Sequence, residues 1–182
     1  DKTINKGADY LKGSLYWHLD GTMNAAPILA SVLSSKVLPS NGGGDTEFCN
    51  TYAAYDDLSD EGKDAYEQVR VMHSTWTTLL YYDPEPPLTM LQQMMSMGER
   101  ELPLVWKHRS GRKSLVLGCT AGHVVGMDRA RSTELLVRLR EWATQPQFVY
   151  RHVWSVGDLV MWDNTGTMHR ARPYDPSSGR LL

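Results

Sequence analysis

Leu15-Tyr16-Trp17-His18-Leu19-Asp20 is the stretch from which the fold of this chain can be read. Its apolar and aromatic residues show no helical period and run into Gly21, so it reads as a strand. Side chains alternate faces along a strand, which places His18 and Asp20, two residues apart, on one side. An imidazole and a carboxylate on one face are half of a metal site. The other half is sought far downstream, where Trp162-Asp163-Asn164 leads to Met168-His169-Arg170. A histidine from that second stretch would complete two imidazoles and one carboxylate on one face of an octahedron, with three positions left open. That donor set suits Fe(II) and oxygen chemistry, whereas zinc with the same donors would activate water.

The rest of the composition narrows the class. With 182 residues and 41% hydrophobic content, the chain can bury one sizeable core, so a single domain is expected. A formal net charge of −2 gives no reason to expect nucleic acid or an anionic membrane as partner. No apolar run approaches the roughly 20 residues that span a bilayer. Cys49 and Cys119 are the two cysteines, too few for a disulfide scaffold, so a reducing, cytoplasmic location is expected. Self-association into a homo-oligomer is allowed by these residues and not specified by them.

Outward from the first stretch, residues 1–13 carry no clear element. Pro27 to Leu38 reads as a second, largely buried strand, and the Gly42-Gly43-Gly44 run as a turn feeding a Thr46-Glu47-Phe48 strand. No GK[ST] follows those glycines, which argues against a phosphate cradle. Ser59 caps a helix expected from about Asp60 to Met72. Residues 73–101, with Asp83-Pro84-Glu85-Pro86-Pro87 and a Met-rich Met90–Met97 stretch, read as irregular. They suit either an active-site lid or a surface excursion with a few methionines packed inward. Short strands are expected at 104–106, 114–119, 123–125, 148–154 and 159–162. Between them Asp128 caps a helix to about Ala143, whose Leu135, Leu136, Leu139 and Trp142 form one stripe. Many short strands with few helices predict a mainly β fold with flanking helices, a double-stranded β-helix or jelly roll.

Four ordered stretches resemble the TauD/TfdA family of Fe(II)- and 2-oxoglutarate-dependent dioxygenases. They are Trp17-His18-Leu19-Asp20, Gly43-Gly44-Asp45-Thr46-Glu47-Phe48, Gly111-Arg112-Lys113-Ser114-Leu115, and Gly157 to Asn164 continuing to Met168-His169-Arg170-Ala171-Arg172. The second half, with Ala143-Thr144-Gln145-Pro146, is similar to the phenoxyacetate branch. The resemblance implies a dioxygenase that hydroxylates or oxidatively cleaves a small organic acid, using Fe(II), 2-oxoglutarate and O2 and releasing succinate and CO2. It implies His18, Asp20 and His169 as iron ligands, Thr46 as the hydroxyl on 2-oxoglutarate, and Arg180 as the partner of that cosubstrate's distal carboxylate. Zinc would leave Thr46 and Arg180 without a role. Asp20 fills the position that related halogenases open for halide, which favours hydroxylation. Against the family pattern, residues 1–182 are expected to lack an N-terminal segment and the last C-terminal strand.

Arg180 has an independent geometric reading. Asp175-Pro176-Ser177-Ser178-Gly179 is a turn sequence, so residues 168–173 and 180 onward are expected to form a hairpin. That would put Arg180 on the face of His169, roughly 13 Å along the ladder, within reach of a five-carbon diacid. A guanidinium suits bidentate capture of a carboxylate. Tyr16 and Trp17 are expected to give a substrate pocket apolar character, although both would also serve as core. The alternative class is a non-catalytic jelly-roll module that binds metal or ligand without turnover.

Overall fold

The computed structural model describes residues 10–182, so the reading of residues 1–9 lies outside the described residues. A 3-10 turn over Tyr10–Leu15 leads into the first stretch. The strands and helices then follow as β1 (Ala30–Ser34), β2 (Thr46–Asn50), α1 (Thr51–Asp56), α2 (Asp60–Tyr66), β3 (Arg70–Ser74), α3 (Thr75–Tyr82), α4 (Leu88–Met95), β4 (Glu99–Pro103) and β5 (Val105–Lys107). The second half adds β6 (Lys113–Leu115), β7 (Ala121–Val124), α5 (Arg129–Ala143), β8 (Val149–His152), β9 (Leu159–Asp163) and β10 (Thr167–Ala171).

All strand pairs are antiparallel: β10-β2-β8, β4-β3-β7, β1-β9 and β5-β6. The sheets stay open, and the architecture is mainly β with helices against it. The core gathers Val71, Leu104, Leu115, Leu117 and Met168, all almost fully buried, with Leu135, Leu136 and Leu139 of α5 packed onto them. Truncating one such leucine to alanine removes about 2–5 kcal/mol. Among the described residues no helix is long and apolar enough to cross a membrane.

Several expected elements differ. The strand expected at 15–20 does not form: Leu15 ends the 3-10 turn, Asp20 opens a turn, and the one pairing is a bridge between His18 and His169. The strand expected over 27–38 shrinks to β1, and Leu29, Val32 and Val37 are exposed rather than buried. Ala30 and Val32 are exposed while Ser31 and Leu33 between and beside them are half-buried.

The helix that Ser59 caps, by accepting from Gly62 N, ends at Tyr66 rather than Met72. Helix α2 buries no residue, so no tertiary contact extends it, and Arg70–Ser74 is instead the central strand between β4 and β7. Residues 73–101 are not irregular. Ser74 caps α3 by accepting from Thr77 N, the proline run 83–87 links α3 to α4, and Met94 is buried while Met95 and Met97 stay exposed. The strand expected over 114–119 stops at Leu115. The Asp128 cap and the α5 stripe match their expectation.

The hairpin is also corrected. Asp175 caps a short 3-10 turn at Pro176–Ser178, but Leu181 bridges Val37, not β10. The end of the described chain therefore pairs with the segment after β1.

Candidate metal centre

Residues 168 and 169 alternate across β10: Met168 is fully buried in the hydrophobic core, so His169 faces the other side. There its ring lies against Trp162, with centroids 4.7 Å apart, and near Phe48 at 6.3 Å. His18 is brought opposite by reciprocal backbone hydrogen bonds: His18 N donates to His169 O, and His169 N to His18 O. Gly118 backs this crossing. Its φ is +115°, and a Cβ there would stand 2.9 Å from Trp17 O and 3.0 Å from His18 Cα. Cys119 N donates to the same Trp17 carbonyl.

Two polar contacts fix Asp20. Ser31 Oγ donates to Asp20 Oδ2 at 2.6 Å. Asn164, almost fully buried in the turn after β9, accepts from Asp20 N and donates through Nδ2 to the carbonyls of Asp20 and Ile28. Asp20 Oδ1 then faces both rings, 3.7 Å from His18 Nε2 and 3.5 Å from His169 Nε2.

Among the described residues, these three form a group that can hold a metal ion, with donor atoms all within 4.8 Å of one another. The carboxylate–imidazole separations are at or beyond the limit of hydrogen bonding and suit donors flanking a shared cation. Burial and the nearby His169 ring lower the His18 pKa to about 4. His18 is therefore neutral near pH 7; with Nδ1 donating to Tyr16 O at 2.8 Å, its Nε2 lone pair faces Asp20. Burial would raise the Asp20 pKa, but His169, Ser31 and His18 together outweigh it and hold the carboxyl at about 2. His169 Nδ1 is buried without a partner among the described residues, and the ring packs against Phe48 and Trp162.

Of the two residues expected to hold the cosubstrate, Thr46 lies on the same side. Thr46 is paired with Ala171, two positions from the Phe48–His169 pair, and so shares their face about 7 Å along the ladder. Its Oγ1 accepts from Trp154 Nε1 at 3.0 Å. Arg180 lies over the Tyr174 ring and donates from Nη2 to Gly44 O, while its buried Nε has no partner among the described residues. Gly44, with φ +76°, admits the guanidinium because a Cβ there would sit 2.6 Å from Arg180 Nε.

A cavity of about 280 Å³ adjoins His18 and Asp20, lined further by Leu19, Thr22, Met23, Asn24, Thr78, Cys119 and Thr120. Tyr16 and Trp17 do not line it. Tyr16 Oη donates to Tyr81 O, and Trp17 is buried in the core beneath the Arg170 guanidinium. Ser31 and Trp154 escaped the sequence reading, because nothing local marks either as a partner of Asp20 or Thr46. Asn164 lay within a recognised stretch, but its contacts reach across 144 residues.

A family model described as "Taurine catabolism dioxygenase TauD, TfdA family" matches residues 2–182. The chain belongs to this family. An alpha-ketoglutarate-dependent 2,4-dichlorophenoxyacetate dioxygenase of Burkholderia sp. (strain RASC) is 43% identical over 168 residues, covering 91% of this chain and 55% of that protein. An (S)-phenoxypropionate/alpha-ketoglutarate-dioxygenase of Sphingobium herbicidovorans is 34% identical over 186 residues, covering 94% and 61%. The crystal structure of AAD-2 in complex with Mn(II) and N-oxalylglycine superposes with a TM-score of 0.86 at 38% identity, covering 95% of this chain and 68% of that one. The chain thus spans little more than half the length of the curated relatives. It shares the jelly-roll architecture of these neighbours.

Proposed function

We propose that this chain forms the catalytic core of an Fe(II)- and 2-oxoglutarate-dependent dioxygenase that hydroxylates or oxidatively cleaves a small organic acid. The convergence of His18, Asp20 and His169, from segments far apart in sequence, carries this reading. When bound, Fe(II) supplies the activation of O2 that couples decarboxylation of 2-oxoglutarate, to succinate and CO2, with oxidation of the substrate.

The protein's part is to hold and orient. His18 presents Nε2 because Tyr16 O takes its Nδ1 proton. Asp20 presents Oδ1 because Ser31 engages Oδ2. Arg180, with an unpaired buried Nε beside the Gly42–Gly44 turn, offers charge-assisted donors to the distal carboxylate of 2-oxoglutarate. Thr46 has its hydroxyl oxygen fixed by Trp154, which leaves its proton for the same cosubstrate. The cavity beside His18 and Asp20, with apolar surface from Leu19, Met23 and Cys119, takes the substrate.

The substrate class we propose is an aryloxyalkanoic acid, which the activities of these relatives support. A cytoplasmic location belongs to the same reading, supported by the free, buried thiols of Cys49 and Cys119.

Anaerobic addition of Fe(II) and 2-oxoglutarate is expected to give a visible metal-to-ligand charge-transfer band. Admission of air with phenoxyacetate is then expected to release succinate faster than without it. The band without succinate would instead mark a non-catalytic binding module. Stimulation by taurine alone would overturn the substrate class.

A further inference from the structure

The wall of the cavity beside His18 and Asp20 carries hydroxyls whose hydrogen bonds do not all close within the protein. Thr22 Oγ1 donates to Thr120 Oγ1 at 3.2 Å, and both residues line the cavity. Behind Thr120 lies His73, fully buried, with Nδ1 2.9 Å from the same hydroxyl and Nε2 without any partner among the described residues.

Two proton arrangements satisfy this contact. With the proton on Nε2, a buried N–H would be stranded without an acceptor. With the proton on Nδ1, only a lone pair is left bare. Stranded buried donors are the rarer and costlier case, so Nδ1 carries the proton and donates to Thr120. Thr120 Oγ1 then accepts from Thr22 and from His73, which fills both of its lone pairs. Its own proton is left over, and none of the hydrogen bonds among the described residues uses it.

We propose that Thr120 is a specificity-determining residue whose hydroxyl, held by His73, donates a hydrogen bond to an acceptor oxygen of the substrate in the cavity beside the metal centre. This rests on the functional reading above. Among the described residues no lysine or arginine lines this cavity, so the acceptor is read there by a neutral donor rather than by an ion pair. His73 is a positioning residue: it touches no substrate and sets the direction of the Thr120 proton.

Two measurements test this. Long-range 1H–15N correlation spectra of the whole chain labelled with 15N-histidine, with His73 assigned by its loss in His73→Gln, are expected to show the Nδ1–H tautomer. A proton on Nε2 overturns the proposal by itself, because Thr120 would then spend its proton on His73. The second measurement is calorimetric binding of phenoxyacetate and of 3-phenylpropionate to the protein loaded with Zn(II) and 2-oxoglutarate.

Thr120→Val is expected to weaken phenoxyacetate binding about 10-fold, and Thr120→Ser, which keeps the hydroxyl, to stay within about 2-fold of the parent. Loss confined to phenoxyacetate assigns the ether oxygen as acceptor; loss for both acids assigns the carboxylate. Parent-like binding of both acids by Thr120→Val overturns the proposal. Failure of the parent to bind either acid, with the proton found on Nδ1, overturns the aryloxyalkanoate reading and leaves the Thr120 donor standing.

Discussion

His18 and His169 are joined twice over: their backbones exchange hydrogen bonds of 3.1 and 2.9 Å, and their rings lie 4.2 Å apart, tilted by 47°. The backbone link does not depend on either side chain. Replacing His169 with alanine is therefore expected to leave the fold intact while Fe(II) or Co(II) affinity falls further than the roughly 10–100-fold that loss of a supporting contact costs. Metal titration followed by calorimetry, with circular dichroism as the folding control, checks this. Undiminished affinity in His169→Ala would remove that residue from the metal site.

Ser31→Ala isolates the support from the donor. Asp20 keeps its place through Asn164 but loses the Ser31 hydrogen bond to Oδ2. Metal affinity is expected to fall about 10–100-fold with a change in unfolding free energy below about 1 kcal/mol. The two effects separate cleanly in titration and urea unfolding.

Asn164 is the reverse case, with stability leading. It bonds Asp20 N, Asp20 O and Ile28 O from a nearly buried position. Asn164→Ala strands those backbone groups, at about 1–3 kcal/mol for each one left without a partner. Asn164→Asp recovers only the bond from Asp20 N, since a carboxylate cannot donate to the two carbonyls. Both variants are expected to lower Tm, and metal affinity is expected to fall with it.

Gly44→Ala is expected to lose 2-oxoglutarate binding and about 1–2 kcal/mol of stability. A Cβ there meets the Arg180 guanidinium, and the φ of +76° is strained for any L side chain. Metal affinity measured without 2-oxoglutarate should stay near the parent value, which distinguishes a cosubstrate defect from collapse of the centre.

His73 predicts the acid limb of stability. Burial lowers its pKa from 6.5 to about 4. Between those values the unfolded chain binds the extra proton, so stability rises with pH across this window and falls as pH drops from about 6.5 toward 4. A shift of this size is worth roughly 3 kcal/mol once pH lies below both values. Urea unfolding of the chelator-treated chain at several pH values should show that slope, reduced in His73→Gln.

Local chemistry made several features legible in advance. Ser59 and Asp128 cap the helices they were expected to cap. The two-residue spacing of His18 and Asp20 put them on one side even though the segment pairs only through a single bridge. What the sequence hid was tertiary. Arg70–Ser74 looks like a continuation of a helix until β4 and β7 claim it as a central strand. The Thr-rich turn opening α3 has weak helix propensity, yet the Ser74 cap and burial of Leu79 hold it helical. Asn164 and Trp154 act across more than 100 residues, and Ser31 reaches Asp20 across 11 with no local pattern to mark it.

Gly118 sets a rule for how this chain can vary. The carbonyl before His18 and the His18 Cα fill the space where a methyl group would stand, and both are main chain that no rotamer change can clear. In a saturation library selected for metal retention, position 118 should return glycine alone. Neighbouring Cys119, whose side chain borders the cavity, should drift freely among small residues. The site would then tolerate changes to its lining while the backbone contact behind His18 stays closed to revision.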